Sequence, residues 1–190
     1  MSATNRSERG GDGYDFFATP AWCVDRIEEA IGPIAGAVLE PSCGDGAIVR
    51  AMASRRGSRE WTTVDVRPEA EADITADFTW MGCPELGSRR FDWAIGNPPY
   101  SHAEAFVRAA LARCDVVVML LRLNWLASES RADFLREHTP SVYVLPNRPS
   151  FTGEGTDATD YAWMAWGLDG PPAVRILAST PAHLRVTRLA

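Results

Sequence analysis

The chain has 190 residues, which suits one domain built around one core. Hydrophobic residues are 46% and charged residues 23%, an ordinary balance for a soluble globular protein, and no apolar run reaches the roughly 18 residues needed to span a bilayer. The net charge of −6 argues against a broadly basic nucleic-acid surface while leaving room for a local basic strip.

Met1 to Gly13 is polar and glycine-rich, which predicts a disordered arm on a cytoplasmic protein, with residues 14–190 as the single domain. Next come a helix over Ala21–Ile31, a short buried strand over Ala37–Glu40, a turn of small residues over Pro41–Gly46 and a helix over Ala47–Arg56. Further strands are expected at Trp61–Val66 and Phe91–Ile95, the latter followed by the turn Gly96–Ser101 and a helix over Ala103–Arg113. Val116–Leu123 reads as a long strand whose unbroken apolar character suggests burial on both faces. A helix over Glu129–Glu137 and strands over Ser141–Leu145, Tyr161–Gly167 and Val174–Leu177 complete the series. This alternation implies a mostly parallel sheet with helices on both faces, and ligands in such sheets sit at the carboxyl ends of the strands. The long irregular loop Pro146–Asp160 is a functional candidate by its length.

Cys23, Cys43, Cys83 and Cys114 are widely spaced, with no C-x-x-C pair, so neither a zinc site nor a disulfide scaffold is expected. Every one of the 19 basic residues is arginine. Arginine suits bidentate phosphate contacts, but the pattern reads first as a bias toward GC-rich codons.

The first motif is Val38-Leu39-Glu40-Pro41-Ser42-Cys43-Gly44-Asp45-Gly46. A buried strand enters a turn with two glycines, where a ligand can approach the backbone closely. Such a turn can hold a phosphate. Here Glu40 and Asp45 would repel phosphate and welcome a cation, and the lysine of a Walker loop is absent. S-adenosylmethionine carries a sulfonium, an ammonium and no phosphate, so charge balance favours it over ATP or NAD. Asp65 ends the next strand 19 positions after Gly46, where an acidic residue can take ribose hydroxyls. Asp77 and Phe78 could bond an adenine amino group and pack its ring, although Asp77 also fits a turn or helix cap.

The second motif is Phe91-Asp92-Trp93-Ala94-Ile95-Gly96-Asn97-Pro98-Pro99-Tyr100. The two prolines stiffen the turn and remove two N–H donors. An exocyclic amino group on a purine is a poor nucleophile, because its lone pair is delocalised into the ring. Two acceptors on its N–H bonds push the nitrogen toward a tetrahedral state, and the Asn97 side-chain oxygen and the Pro98 carbonyl form such a pair. Tyr100 offers a flat face for an extruded base. A rigid turn sets these acceptors in advance, without metal or covalent nucleophile.

These motifs resemble the class I S-adenosylmethionine-dependent methyltransferases, specifically the amino-methylating branch with an Asn/Asp-Pro-Pro-Tyr turn. The resemblance implies a Rossmann-like fold with a mostly parallel seven-stranded sheet and S-adenosyl-L-methionine as cofactor. It implies cofactor roles for Glu40, Pro41, Ser42, Gly44, Gly46, Asp65, Asp77 and Phe78. Asn97, Pro98, Pro99 and Tyr100 become the catalytic turn. Phe16-Phe17-Ala18-Thr19-Pro20-Ala21-Trp22 is similar to the aromatic-x-Thr-Pro segment of adenine-specific DNA methyltransferases, which brings Thr19 and Pro20 to the cofactor. Without the family, Thr19 is a helix cap with Pro20 in the first turn. Asn147-Arg148-Pro149-Ser150-Phe151-Thr152-Gly153 through Tyr161-Ala162-Trp163 is similar to small phage and prophage enzymes, with Arg148 on a phosphate or base edge and Phe151 as a second aromatic wall. Alternatively, Phe151 is core and Arg148 a surface ion pair.

The resemblance therefore implies an adenine-N6 methyltransferase acting on a flipped-out base, DNA before RNA. No separate target-recognition domain fits, because the gap from Phe78 to Phe91 is too short. Specificity would then come from the loop Pro146–Asp160, the arm, a homodimer or a partner protein. Glutamine in a protein is a chemically similar target, cytosine N4 a further one, and a non-reacting binding module the non-enzyme alternative. A C5-cytosine mechanism is disfavoured, since no Pro-Cys dipeptide exists.

Overall fold

The longest apolar run, Cys114–Arg122, forms the centre of the sheet in a computed structural model describing residues 17–53, 55–151 and 156–185. Its side chains alternate between two cores. Val118 and Leu120 enter one, while Val117, Met119 and Leu121 enter the other, and all five are fully buried. A strand covered on both faces has no polar face to show, which explains its continuous hydrophobicity.

We number this strand β5. The others are β1 (Gly36–Glu40), β2 (Arg59–Asp65), β3 (Ile74–Thr75), β4 (Phe91–Gly96), β6 (Ser141–Val144), β7 (Tyr161–Trp166) and β8 (Val174–Ile176). Their order across the sheet is β3-β2-β1-β4-β5-β7-β6-β8. The pairings are parallel except that β7 runs antiparallel to both β5 and β6. The helices α1 (Ala21–Ile31) and α2 (Ala47–Met52) place Ile27 and Met52 in one core. On the opposite face α3 (Ala103–Leu111) and α4 (Ala132–Glu137) contribute Val107 and Phe134. Trp163 of β7 donates its indole N–H to the Cys23 carbonyl at 2.9 Å, tying the antiparallel strand to α1.

After β1 the chain builds outward through β2 and β3, then returns to add β4 on the other side of β1. This reversal opens a crevice beyond the carboxyl ends of β1 and β4. Leu39 pairs with Ala94, so the turns after Glu40 and Gly96 lie side by side. Their closeness explains Gly96: a Cβ there would meet Pro41 Cδ at 3.3 Å and Met119 Sδ at 3.5 Å. We expect Gly96→Ala to lower stability by about 1–3 kcal/mol through overpacking, read as a lower denaturation midpoint. An unchanged midpoint would mean that the two turns have slack.

Four expectations are corrected. The sheet has eight strands because Ile74–Thr75 adds a short outer strand, bonded to Val64 and Asp65, that two residues cannot signal by pattern. α2 ends at Met52, four residues early, because the chain must turn to start β2 at Arg59 beside Gly36. Glu129–Arg131 is a 3-10 turn leading into α4. The N-cap of α1 is Pro20, with no side-chain cap bond, so Thr19 does not cap the helix. The expected arm, Met1 to Gly13, lies outside the described residues. No helix among the described residues is long and apolar enough to cross a membrane.

Candidate active site

At the crevice, the chain leaves β1 through a turn that side chains tolerate poorly. Gly44 and Gly46 have φ of 59° and 74°, the left-handed region that glycine enters at little cost. The turn is tied to β2 twice. Cys43 donates its N–H to the Val64 carbonyl at 3.0 Å, and Gly44 donates to Asp65 Oδ2 at 2.8 Å. Gly46 shapes this corner from behind and is not part of the cavity wall.

The cavity beside this turn brings together Thr19, Glu40, Pro41, Ser42, Gly44, Asp65, Asp77, Phe78, Asn97 and Pro99. Residues from four separate strand ends thus meet in one hollow. Pro20, Pro98 and Tyr100 stand outside its wall. Sequence reasoning missed Ile48, Val66, Arg67, Thr79, His102 and Phe106, which also line it. Phe106 packs on Phe78 at 5.7 Å between ring centroids. Its helical spacing from His102 was the available signal, and Val66 could have been read as the residue after Asp65.

The electrostatics are lopsided. Glu40, Asp45, Asp65 and Asp77 all line the cavity, with Arg67 as its arginine. Asp45 pairs with Arg50 at 2.8 Å across the surface. Asp65 is engaged more deeply than a free ribose acceptor would be. Besides Gly44, it accepts the Arg67 backbone N–H and Nε, each at 3.0 Å. It is therefore first a brace of the glycine turn. A further hydroxyl must share its remaining lone pairs or displace Arg67, because a carboxylate offers about four acceptor sites.

Glu40 is different. It is 2% exposed, and its Oε2 has no hydrogen-bond partner among the described residues. Burial, reinforced by Asp45 and Asp65, pushes its carboxyl well above the usual carboxylate range. The Ser42 hydroxyl oxygen is likewise buried without a partner. Buried polar atoms are normally bonded, so two unpartnered oxygens on residues that line one hollow are candidate acceptors for a ligand's donors. The Cys43 thiol, raised to about 12 by burial and by Glu40 and Asp65, stays protonated and is no nucleophile.

Asp77 is exposed, and its Oδ1 accepts from the Thr79 N–H and hydroxyl at 2.8 and 2.7 Å. It is a turn residue that also faces the cavity. Phe78 is 1% exposed and forms part of the apolar wall.

The diproline turn holds Asn97 by both ends of its amide. Nδ2 donates to the Phe17 carbonyl at 3.1 Å, and Oδ1 accepts from the Tyr100 hydroxyl at 3.0 Å. Phe17 can only accept through its carbonyl, so the oxygen end of the amide is the one left toward Tyr100. An amide oxygen has two lone pairs, so one remains for another donor. The Pro98 carbonyl accepts no hydrogen bond among the described residues. The Pro99 carbonyl, by contrast, accepts from His102 N–H at 2.9 Å, closing the turn into α3.

The aromatic residues pack differently from an open base-stacking face, and Phe151 takes the core reading of its two. Tyr100 does not present an open face: Phe17 stacks on it at 5.9 Å, Tyr161 tilts against it at 5.6 Å, and the Arg122 guanidinium lies 4.6 Å from its ring centre. Phe151 is 7% exposed and packs on Phe17 and Tyr161, within the core and behind the cavity wall. Burying four rings together removes more apolar area from water than leaving one face open. Arg148 pairs with Asp160 at 2.7 Å on the surface, away from the cavity wall.

Solved structures share this architecture. A protein from Listeria monocytogenes, described as a class I S-adenosylmethionine-dependent methyltransferase, aligns with a TM-score of 0.60 at 12% identity, over 88% of this chain and 68% of that one. A protein from Pyrococcus horikoshii described as an RNA methyltransferase aligns at 0.62 and 18% identity, over 82% and 86%. The modification subunit of a type I restriction enzyme from Vibrio vulnificus aligns at 0.63 and 14% identity, over 93% of this chain and 50% of that one. This chain thus spans half the length of the Vibrio subunit. No family model matches the chain, and no curated protein matches it. The fold is the Rossmann-like fold of class I methyltransferases.

Proposed function

We propose that this chain, folded as class I methyltransferases are, uses S-adenosyl-L-methionine to methylate the N6 amino group of adenine in a flipped-out base, with DNA as the polymer. The observation that carries the reading is Asn97: a carboxamide held at both ends, with acceptor capacity to spare, on the wall of an acid-lined cavity beside a glycine turn. The residues present fit the cofactor. Glu40 Oε2 and Ser42 Oγ are buried acceptors without partners, suited to a ligand that brings a cation and donors. Thr19, Gly44 and Asp65 would hold its polar parts, and Val66, Phe78 and Phe106 its flat apolar part. Bound there, S-adenosylmethionine supplies an electrophilic methyl group on a cationic sulfur.

The chain's own work is to make the amine nucleophilic. Asn97 Oδ1 accepts from one N–H bond and the Pro98 carbonyl, just outside the cavity wall and without another hydrogen bond among the described residues, would accept from the other, drawing the nitrogen's lone pair out of conjugation. Because the turn is stiffened by Pro98 and Pro99, these oxygens need little reorganisation when substrate arrives. Phe17 lines the cavity and its carbonyl bonds Asn97, which puts its ring, packed on Tyr100 and Phe151, nearest to an incoming base among these aromatics. RNA is the second reading, favoured by the Pyrococcus neighbour described as an RNA methyltransferase. Labelled methyl transfer tested on DNA, RNA and protein separates them. Label in DNA supports the proposal, label confined to RNA or protein replaces the polymer, and cofactor binding without transfer leaves only a binding module.

The Glu40 carboxyl gives a pH test. Burial favours its protonated form, whereas a cation beside it favours the ionised form. Cofactor binding is therefore expected to release a proton and to tighten as pH rises through the raised pKa. Calorimetry in two buffers of different ionisation heat should detect the proton in the wild type and none in Glu40→Gln. Equal heats in both buffers for the wild type would contradict a cation at Glu40.

A further inference from the structure

Behind the diproline turn lies a chain of polar and aromatic contacts that ends on the loop before β7. Tyr161, the first residue of β7, is fully buried. A buried hydroxyl must find partners. Its single proton goes to Asp157 Oδ2 at 2.7 Å, which turns its oxygen lone pairs toward other donors. Arg122, the last residue of β5, points Nε at that oxygen from 3.4 Å. The same guanidinium lies 4.6 Å from the centre of the Tyr100 ring, within cation–π range. Tyr161 also contacts the Tyr100 ring directly, with centroids 5.6 Å apart. Tyr100 in turn gives its hydroxyl proton to Asn97 Oδ1 at 3.0 Å.

Resting on the amine-methylating reading above, we propose that Asp157, Tyr161 and Arg122 are positioning residues for the target amine. They fix where Tyr100 stands, and through its hydroxyl they fix the Asn97 oxygen that the amine must meet. The geometry is economical. Asp157 takes the Tyr161 proton, so the Tyr161 oxygen is left to act as an acceptor, as it does toward Arg122. Arg122 balances the Asp157 charge from within the same group of side chains.

Tyr161→Phe keeps the ring and removes only the hydroxyl. It is expected to lower kcat about tenfold, since a small misplacement of a reacting group is costly. KM and cofactor affinity should stay near wild type. Asp157→Ala should behave like Tyr161→Phe, and Asp157→Asn, which keeps an acceptor, should restore most of the loss. If Tyr161 acts through Tyr100, then Tyr161→Phe adds nothing in a Tyr100→Phe background. Fully additive losses, or an unchanged kcat in Tyr161→Phe, would overturn the proposal. A second readout needs no substrate: the side-chain amide NMR signals of Asn97 should shift in Tyr161→Phe. Their staying unmoved would also overturn it. A wild type that methylates no amine would instead defeat the functional reading, and the Asn97 signals would still decide the positioning role.

Discussion

Replacing Asn97 by alanine is expected to cut kcat about a hundred- to a thousandfold, the scale seen when a preorganised transition-state contact is removed. Cofactor affinity should remain within about twofold. The asymmetry follows from what Asn97 touches. Its amide spans Phe17 and Tyr100, while the glycine turn is braced independently by Asp65 and Val64. Truncation removes the acceptor oxygen and leaves the Tyr100 hydroxyl without its acceptor. It leaves Glu40, Ser42 and Gly44 as they were. Single-turnover transfer of labelled methyl measures the first quantity and calorimetry the second. A variant that loses cofactor affinity would assign Asn97 to the cofactor, and a variant that transfers normally would remove it from the chemistry.

Asp65→Ala has the opposite signature. The carboxylate takes three close donors, from Gly44, the Arg67 backbone and the Arg67 side chain. Removing it orphans the buried Gly44 N–H and releases the corner that shapes the cavity. Each unsatisfied buried polar group costs about 1–3 kcal/mol, so cofactor affinity should fall by roughly 5- to 150-fold. The kcat at saturating cofactor should change much less, because the diproline turn does not rest on Asp65. Arg67→Ala is an informative contrast. It frees acceptor capacity on Asp65 and so should weaken binding less than Asp65→Ala. Calorimetry on the pair decides the matter, and unchanged affinity in Asp65→Ala would exclude Asp65 from the site.

The sequence was most readable where one short segment carries both the backbone requirement and the chemistry. Glu40–Gly46 needs two left-handed residues and has glycine at both positions. Asn97–Tyr100 needs stiffness and has two prolines. The alternation of strands and helices led to the right fold class, because β5 must be apolar throughout when both faces are covered. What stayed hidden depends on partners far apart in the chain. Nothing near Tyr100 reveals that Phe17, Tyr161 and Arg122 close over its ring. Nothing near Asp65 reveals that Gly44 and Arg67 take its oxygens first. Phe151 and Arg148 each had two readings, and burial and ion pairing resolved them toward core and surface. The strand β3 is two residues long and exists only because β2 offers it an edge.

The most direct test of the central claim is nucleoside mass spectrometry of unmethylated genomic DNA incubated with the protein and isotopically labelled S-adenosylmethionine. Labelled N6-methyladenine should accumulate with the wild type and be missing with Asn97→Ala. Label on a carbon or ring nitrogen of the DNA would contradict an amine-gripping role for the Asn97 turn, and none in DNA despite measured cofactor binding would contradict DNA as the polymer.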